Sequence, residues 1–138
     1  MKDIDSLNLK KNEKEQLIEK ITALIAGEKE ILFAYVHGSF AEGDNFRDID
    51  LAVYINEMPT NEMLKYELLL EEKIESALKL PVDLKVLNNA PPPFCYMVIK
   101  KGLKVFVKDD RKRTAFEVST LQRYFDFQPY RRRYMQEA

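Results

Sequence analysis

Apolar and polar residues alternate along this chain with two different periods, and these periods predict an order of helices and strands. Apolar residues three or four positions apart indicate helices after Asn12, from Leu64 to Leu80, and from Asp109 or Asp110 onward. The apolar residues that these helices carry are Leu17, Ile18, Ile21, Leu24, Ile25, Leu70, Ile74, Leu78, Phe116, Leu121, Tyr124 and Phe125. Leu70, Ile74 and Leu78 are expected to face a sheet.

Four short runs rich in β-branched and aromatic residues lie between the helices and predict strands. The runs are Ile31–Val36, Asp48–Ile55, Pro81–Leu87 and Leu103–Val107. A short helix opened by Pro91–Pro93 and closed by Gly102 separates the last two. We therefore expect one α+β domain, residues 1–138, in which helices flank a small mixed sheet and a C-terminal helix follows it.

Two local signals set the expected helix ends. Asn12 and Glu15 have the spacing of a capping box, which places a helix start at Asn12. Pro129 lacks a backbone donor, so the last helix is expected to bend or stop before it.

Composition narrows the class of protein. The 138 residues carry 22 basic and 23 acidic side chains, so a surface that neutralises many nucleic-acid phosphates is not expected. The single cysteine, Cys95, excludes an internal disulfide and is expected to be a buried thiol. Because no run approaches the roughly 20 apolar residues that cross a bilayer, we expect a cytoplasmic protein without a membrane anchor.

The candidate chemistry lies where two predicted strands meet their loops. Asp48 and Asp50 are two positions apart on a strand, so both side chains point to one face, about 6.6 Å apart along the chain. Their oxygens can converge on two magnesium ions about 3.5–4 Å apart, a spacing used in phosphoryl and nucleotidyl transfer. Gly38 and Ser39 follow the first strand, where backbone N–H groups and a hydroxyl can bind phosphate.

A third acid, Asp83, lies on the third predicted strand. It is a candidate ligand for the catalytic metal or a base for the attacking hydroxyl. An exposed acid paired with Lys85 is the alternative. Asp3-Ile4-Asp5 repeats the tripeptide Asp48-Ile49-Asp50 without an adjoining strand or Gly-Ser, so the acids alone are weak evidence and their context carries the prediction.

That context, an apolar strand into Gly38-Ser39, a short loop and then Asp48-Ile49-Asp50 heading a second strand, resembles the minimal nucleotidyltransferases of the DNA polymerase β superfamily. Asp83 in Pro-Val-Asp-Leu matches their later acidic strand. The size, charge and Tyr/Arg-rich tail are similar to the antitoxins paired with HEPN-domain toxins. The resemblance implies a nucleotidyltransferase fold, a magnesium-dependent enzyme, and transfer of AMP from ATP to a tyrosine hydroxyl of such a toxin.

Two positions depart from that family. Glu42 stands where an arginine is common and Arg47 where a serine is common. Glu42 would place negative charge near the triphosphate, which lowers affinity unless a metal or Arg47 compensates. Two other functions therefore stay open: a non-catalytic antitoxin that inhibits its toxin by binding, and a transferase for a small hydroxylated molecule.

Two other features allow a structural and a functional interpretation. His37, the single histidine, ends the first strand, where a packed role is favoured over a catalytic one. Arg131–Arg133, flanked by Tyr130 and Tyr134, either forms a solvated terminus or binds a partner.

Overall fold

The computed structural model describes residues 7–8, 11–43, 45–46 and 48–137, and the side chains of residues 11–43 and 48–126. Asp3, Asp5 and Arg47 lie outside the described residues, as do the side chains of Arg131–Arg133. In the described chain, no helix combines the length and the apolar composition needed to cross a membrane.

The predicted helices and strands occur in the predicted order, and the structure adds two short strands, Leu7–Asn8 and Asn45–Phe46, and the short helix Gly38–Glu42. In chain order the elements are β1 (Leu7–Asn8), α1 (Lys11–Ala26), β2 (Ile31–His37), α2 (Gly38–Glu42), β3 (Asn45–Phe46), β4 (Ile49–Ile55), α3 (Thr60–Leu78), β5 (Val82–Val86), α4 (Pro92–Lys101), β6 (Leu103–Val107) and α5 (Asp110–Glu137). The main sheet has the strand order β5-β4-β2-β6, and β1 pairs with β3 separately. In the main sheet β2 is antiparallel to both β4 and β6, whereas β4 and β5 are parallel. The expected mixed sheet is confirmed.

Helices cover both faces of this sheet, and β4 shows how the sequence divides between them. Ile49, Leu51, Val53 and Ile55 pack against α1 and α3, including Leu70, Ile74 and Leu78, as expected from the pattern. Ala52 points the other way and packs with Cys95 and Val98 of α4 and Phe116 of α5. Because successive strand residues face opposite sides, Asp50 lies on the α4/α5 face.

Two expectations about helix ends are wrong. Helix α1 begins at Lys11, so Asn12 lies within its first turn and does not cap it. Helix α5 continues through Pro129 to Glu137. A proline removes a single N–H donor, and the turns on either side of it in a long helix keep their own hydrogen bonds.

Strand β5 is an edge strand, and a row of glutamates covers its outward N–H groups. The N–H groups of Val82, Leu84 and Val86 donate to carboxylates of α3 at 2.8–2.9 Å. The acceptors, spaced four residues apart, are Glu75, Glu71 and Glu67 respectively. Side chains four residues apart share one face of a helix, so α3 presents one carboxylate to every second residue of β5. This row satisfies an edge that would otherwise be open to pairing with another chain.

Replacing Glu71 by Ala is expected to lower the free energy of unfolding by about 1–2 kcal/mol, because the Leu84 N–H loses a charged acceptor. Glu72→Ala, at an exposed neighbouring position of the same helix, is the control for helix propensity. Urea unfolding followed by circular dichroism measures both. Equal stability of the two variants would contradict a structural role for the glutamate row.

Candidate active site

Three polar residues form one row across the sheet. In the strand register His37 at the end of β2 is opposite Asp50 on β4, and Asp50 is beside Asp83 on β5. Residues paired in register point to the same face, so all three side chains lie on the α4/α5 face. Asp48 precedes β4 and is exposed. The structure thus brings Asp50 and Asp83 together on adjacent strands. Asp48 lies just before β4 and is close enough to Asp50 to raise the pKa of Asp50.

Gly38 directly follows this row and has a conformation that suits glycine. Its φ is +73°, in the left-handed region that side chains disfavour. A Cβ built on Gly38 would collide with Oδ2 of Asp50, at a distance no real Cβ contact reaches. The missing side chain therefore makes room for the Asp50 carboxylate, a reason for glycine that the sequence pattern did not reveal.

The short helix α2 carries Ser39 and is fixed to α1. Ser39 is exposed in the first turn, so its hydroxyl is accessible to a ligand. Phe40 is fully buried in the core, and the Lys14 ammonium lies 5.3 Å from the centre of its ring. Lys14 Nζ also donates to the Gly43 carbonyl at 2.7 Å. Lys14 thereby contacts α2 at Phe40 and also the Gly43 that follows it. No sequence motif predicts this contact between α1 and α2.

Burial and two neighbouring acids act on the Asp50 carboxyl. The pKa of Asp50 is raised to about 6, first by burial and then by the negative charges of Asp83 and Asp48. Asp83 is half exposed, and its Oδ1 lies 3.6 Å from Lys85 Nζ. Acids crowded together in this way favour either a proton or a bound cation.

The carboxylates of Asp48, Asp50 and Asp83 suit a Mg²⁺ ion that keeps part of its water shell. In the part of the chain that the structure describes, no group of three or more His, Cys, Asp or Glu residues is close enough to form a metal cage. Mg²⁺ is commonly bound by one or two carboxylates together with waters and substrate phosphates. Asp50, with Asp48 and Asp83 near enough to shift its pKa, is a donor set of that kind. The residues present therefore fit Mg²⁺ that arrives with a nucleotide.

His37 is packed, as the sequence predicts. It is 7% exposed, and its ring meets Phe94 edge to face with centroids 5.6 Å apart. Burial lowers its pKa, and the nearby Asp83 opposes this effect, so a neutral ring is favoured. Its Nε2 has no hydrogen-bond partner among the described residues. Cys95 is fully buried, which confirms the expectation for the thiol.

Glu42, at the end of α2, is exposed. Its position five residues from His37 keeps a negative charge at the far end of the short helix from Gly38. The predicted compensation of that charge by Arg47 stays a prediction, because Arg47 lies outside the described residues.

A cavity of about 450 Å³ adjoins the row at its β5 end. It lies between the first half of α3, the edge strand β5 and the start of α4. Its lining residues are Thr60, Met63, Leu64, Glu67, Lys85, Val86, Asn89, Ala90, Pro91 and Phe94. No sequence pattern predicts this cavity, because its walls come from three separate segments.

Comparisons with known proteins identify the family to which the chain belongs. The family model described as polymerase beta, nucleotidyltransferase matches residues 19–111, a range that contains Gly38, Ser39, Asp48, Asp50 and Asp83. No curated protein matches the chain in a sequence search.

Several solved structures have the same fold. One is that of a tri-AMPylated Shewanella oneidensis HEPN toxin in complex with MNT antitoxin, with 25% identity, a TM-score of 0.72, and coverage of 90% of this chain and 97% of that chain. A toxin–antitoxin structure with AMP-PNP has 27% identity, a TM-score of 0.73, and coverage of 87% and 96%. A mutant of the toxin–antitoxin MntA-HpeT has 26% identity, a TM-score of 0.68, and coverage of 86% and 95%.

Proposed function

Because the chain belongs to the polymerase β-type nucleotidyltransferases, we propose that it is an antitoxin that transfers AMP from ATP to a tyrosine hydroxyl of a HEPN-domain toxin. The observation that carries the proposal is the row in which Asp50 lies between Gly38 and Asp83. The solved structures add support, since one contains an AMPylated HEPN toxin with its MNT antitoxin and another contains AMP-PNP.

Each residue of the site has a proposed task. Asp48 and Asp50 hold Mg²⁺, two ions in the full site, and Asp83 either completes the metal site or accepts the proton of the attacking hydroxyl. Gly38 N–H and the Ser39 hydroxyl bind the β- and γ-phosphates of ATP, as donors at the start of a helix do. When bound, Mg²⁺ neutralises charge on the transferred and departing phosphates.

The protein groups act mainly by positioning and by electrostatics. Strand register fixes Asp50 and Asp83 beside each other on adjacent strands, while α2, held by Lys14, fixes the phosphate donors. Preorganised groups of this kind lower the barrier because they need no rearrangement when charge develops. At the β2 end of the row, the buried ring of His37 packs edge to face against Phe94 and fixes where α4 lies relative to the site.

The proposal predicts that a HEPN-domain protein is encoded beside this chain. The test is transfer of label from α-³²P-ATP to that protein, with Mg²⁺ and with EDTA. We expect labelling of the partner that requires Mg²⁺, depends on its tyrosine, and is abolished by Asp48→Asn together with Asp50→Asn. Labelling that persists in the double variant would refute the assigned site. Labelling of added small alcohols in place of the partner would instead indicate a small-molecule transferase.

A second candidate is an antitoxin that acts by binding alone. Glu42 favours it, because this exposed acid stands where the family commonly has an arginine. The same double variant separates the two candidates in cells that express the toxin. Loss of protection supports catalysis, whereas full protection without labelling supports inhibition by binding.

A further inference from the structure

The cavity beside the edge strand β5, which we name the β5-edge pocket, shares neighbouring residues with the row of His37, Asp50 and Asp83. Lys85 lines it and lies two residues after Asp83 on the same face of β5, with Nζ 3.6 Å from Asp83 Oδ1. Phe94 lines it from α4, and the same ring packs against His37. The pocket therefore lies beside the row, with Lys85 next to Asp83 and Phe94 between the pocket and His37.

The order of residues in the row indicates from which side an acceptor would approach. This inference rests on the proposed function. The phosphate donors Gly38 and Ser39 follow β2, Asp50 is on the next strand, and Asp83 is on the strand after it, at the sheet edge. In phosphoryl-type transfer the attacking and leaving oxygens lie roughly in line. A pyrophosphate that leaves toward α2 requires an acceptor hydroxyl that enters from the β5 side, where the pocket opens.

The chemistry of the lining favours a neutral, largely apolar occupant. Six of the ten lining residues are apolar: Met63, Leu64, Val86, Ala90, Pro91 and Phe94. The Glu67 carboxylate in the wall accepts the Val86 N–H, and the Lys85 ammonium lies close to Asp83, so the charges there already have partners. A triphosphate would find little compensation in such a site, whereas an aromatic or aliphatic side chain would bury apolar area.

An apolar rim extends from the pocket onto the outer side of α3. Leu64 is 58% exposed and Leu68, one helical turn later, is 66% exposed. A metabolite enclosed by the pocket would not need this rim, but a protein segment laid across α3 would cover it.

We infer that the β5-edge pocket and the rim of Leu64 and Leu68 dock the tyrosine-bearing segment of the acceptor protein. The segment places its tyrosine hydroxyl beside Asp83 and an aromatic or aliphatic portion in the pocket. In the reaction, the tyrosine oxygen forms the bond to the α-phosphorus, the bond to pyrophosphate breaks, and the hydroxyl proton passes to Asp83 or to solvent.

Leu64→Glu tests the inference because the side chain is exposed and lies outside the catalytic row. Leu69→Glu is the matched control, on the same helix, 66% exposed and absent from the pocket lining. With the HEPN-domain acceptor that the proposed function predicts, we expect Leu64→Glu to raise KM for the acceptor about tenfold or more, since a carboxylate would be buried on docking. The affinity for a fluorescent ATP analogue should stay within about twofold of wild type in both variants.

Equal acceptor KM values for the two variants would overturn the inference, as would a loss of ATP-analogue affinity in Leu64→Glu alone, which would assign the pocket to the nucleoside. Titration calorimetry of each variant with the partner gives a second readout that needs no catalysis. If wild type binds the partner but transfers no label, the proposed function fails, and a weakened complex for Leu64→Glu alone still supports the docking surface.

Discussion

Asp50→Asn is expected to abolish nucleotidyl transfer and, at the same time, to stabilise the protein at neutral pH without divalent cations. Asp50 is the central acid of the row, and its carboxylate is crowded by Asp83 and Asp48. Removing one such group that stabilises charge in the transition state costs on the order of a thousandfold in rate. Removing the same charge from the free protein relieves repulsion, so the two effects have opposite signs.

The pH dependence follows from the raised pKa of Asp50. Its value of about 6 in the folded protein exceeds the ordinary 3.8, so the folded state binds more protons than the unfolded state between these values. The contribution of Asp50 to stability therefore falls as pH rises from about 4 to about 6 and stays low above that. With allowance for solvent screening at this partly exposed site, Asp50→Asn should raise the free energy of unfolding by roughly 1 kcal/mol above pH 6 and change it little near pH 4.

Thermal unfolding from pH 4 to pH 8 in EDTA checks this prediction, with an expected gain in Tm of about 3 °C above pH 6. Added Mg²⁺ should raise the Tm of the wild type above pH 6 and have less effect on the variant, because the carboxylate that attracts the cation is gone. Asp126→Asn, an exposed position on α5, is the control for loss of one negative charge. A pH-independent difference between Asp50→Asn and wild type would contradict the crowded-carboxylate interpretation.

Gly38→Ala is expected to reduce transfer about a hundredfold, although it adds a single methyl group. The new Cβ would occupy the space of Asp50 Oδ2, and the φ of +73° disfavours any residue with a side chain. Either the carboxylate or the turn must move, and displacement of a reacting group by about 1 Å is enough for a loss of that size. Backbone strain should also lower the free energy of unfolding by about 1–2 kcal/mol.

Gly43→Ala is the matched control at the other end of α2. A Cβ there would make an ordinary contact, 3.9 Å from the Ser39 carbonyl oxygen, and the backbone is extended with φ of −159°. Steady-state transfer assays and urea unfolding of the two variants separate lost activity from lost stability. Gly38→Ala with the activity of Gly43→Ala would show that the site does not need the Asp50 carboxylate where the structure places it.

Much of the fold could be predicted from the sequence because its signals are local. Helical spacing located the core face of α3, and β-rich runs located the four strands of the main sheet within one or two residues. Helix ends were less predictable, since Asn12 lies inside α1 and α5 continues past Pro129. A cap is worth about 1 kcal/mol and an interior proline costs about 3 kcal/mol. In both cases the remaining hydrogen bonds of the helix outweigh the local signal.

The candidate site residues follow local signals in the sequence: Gly38 and Ser39 come after one strand, Asp48 and Asp50 head another, and Asp83 lies on a third. Strand order and packing add features that no local pattern predicts: Asp83 lies beside Asp50, Gly38 makes room for the Asp50 carboxylate, α3 glutamates cover β5, and a pocket opens at that edge. The physical reason is that strand order and register join segments far apart in the chain, and the residues within each segment do not specify which neighbour they will meet.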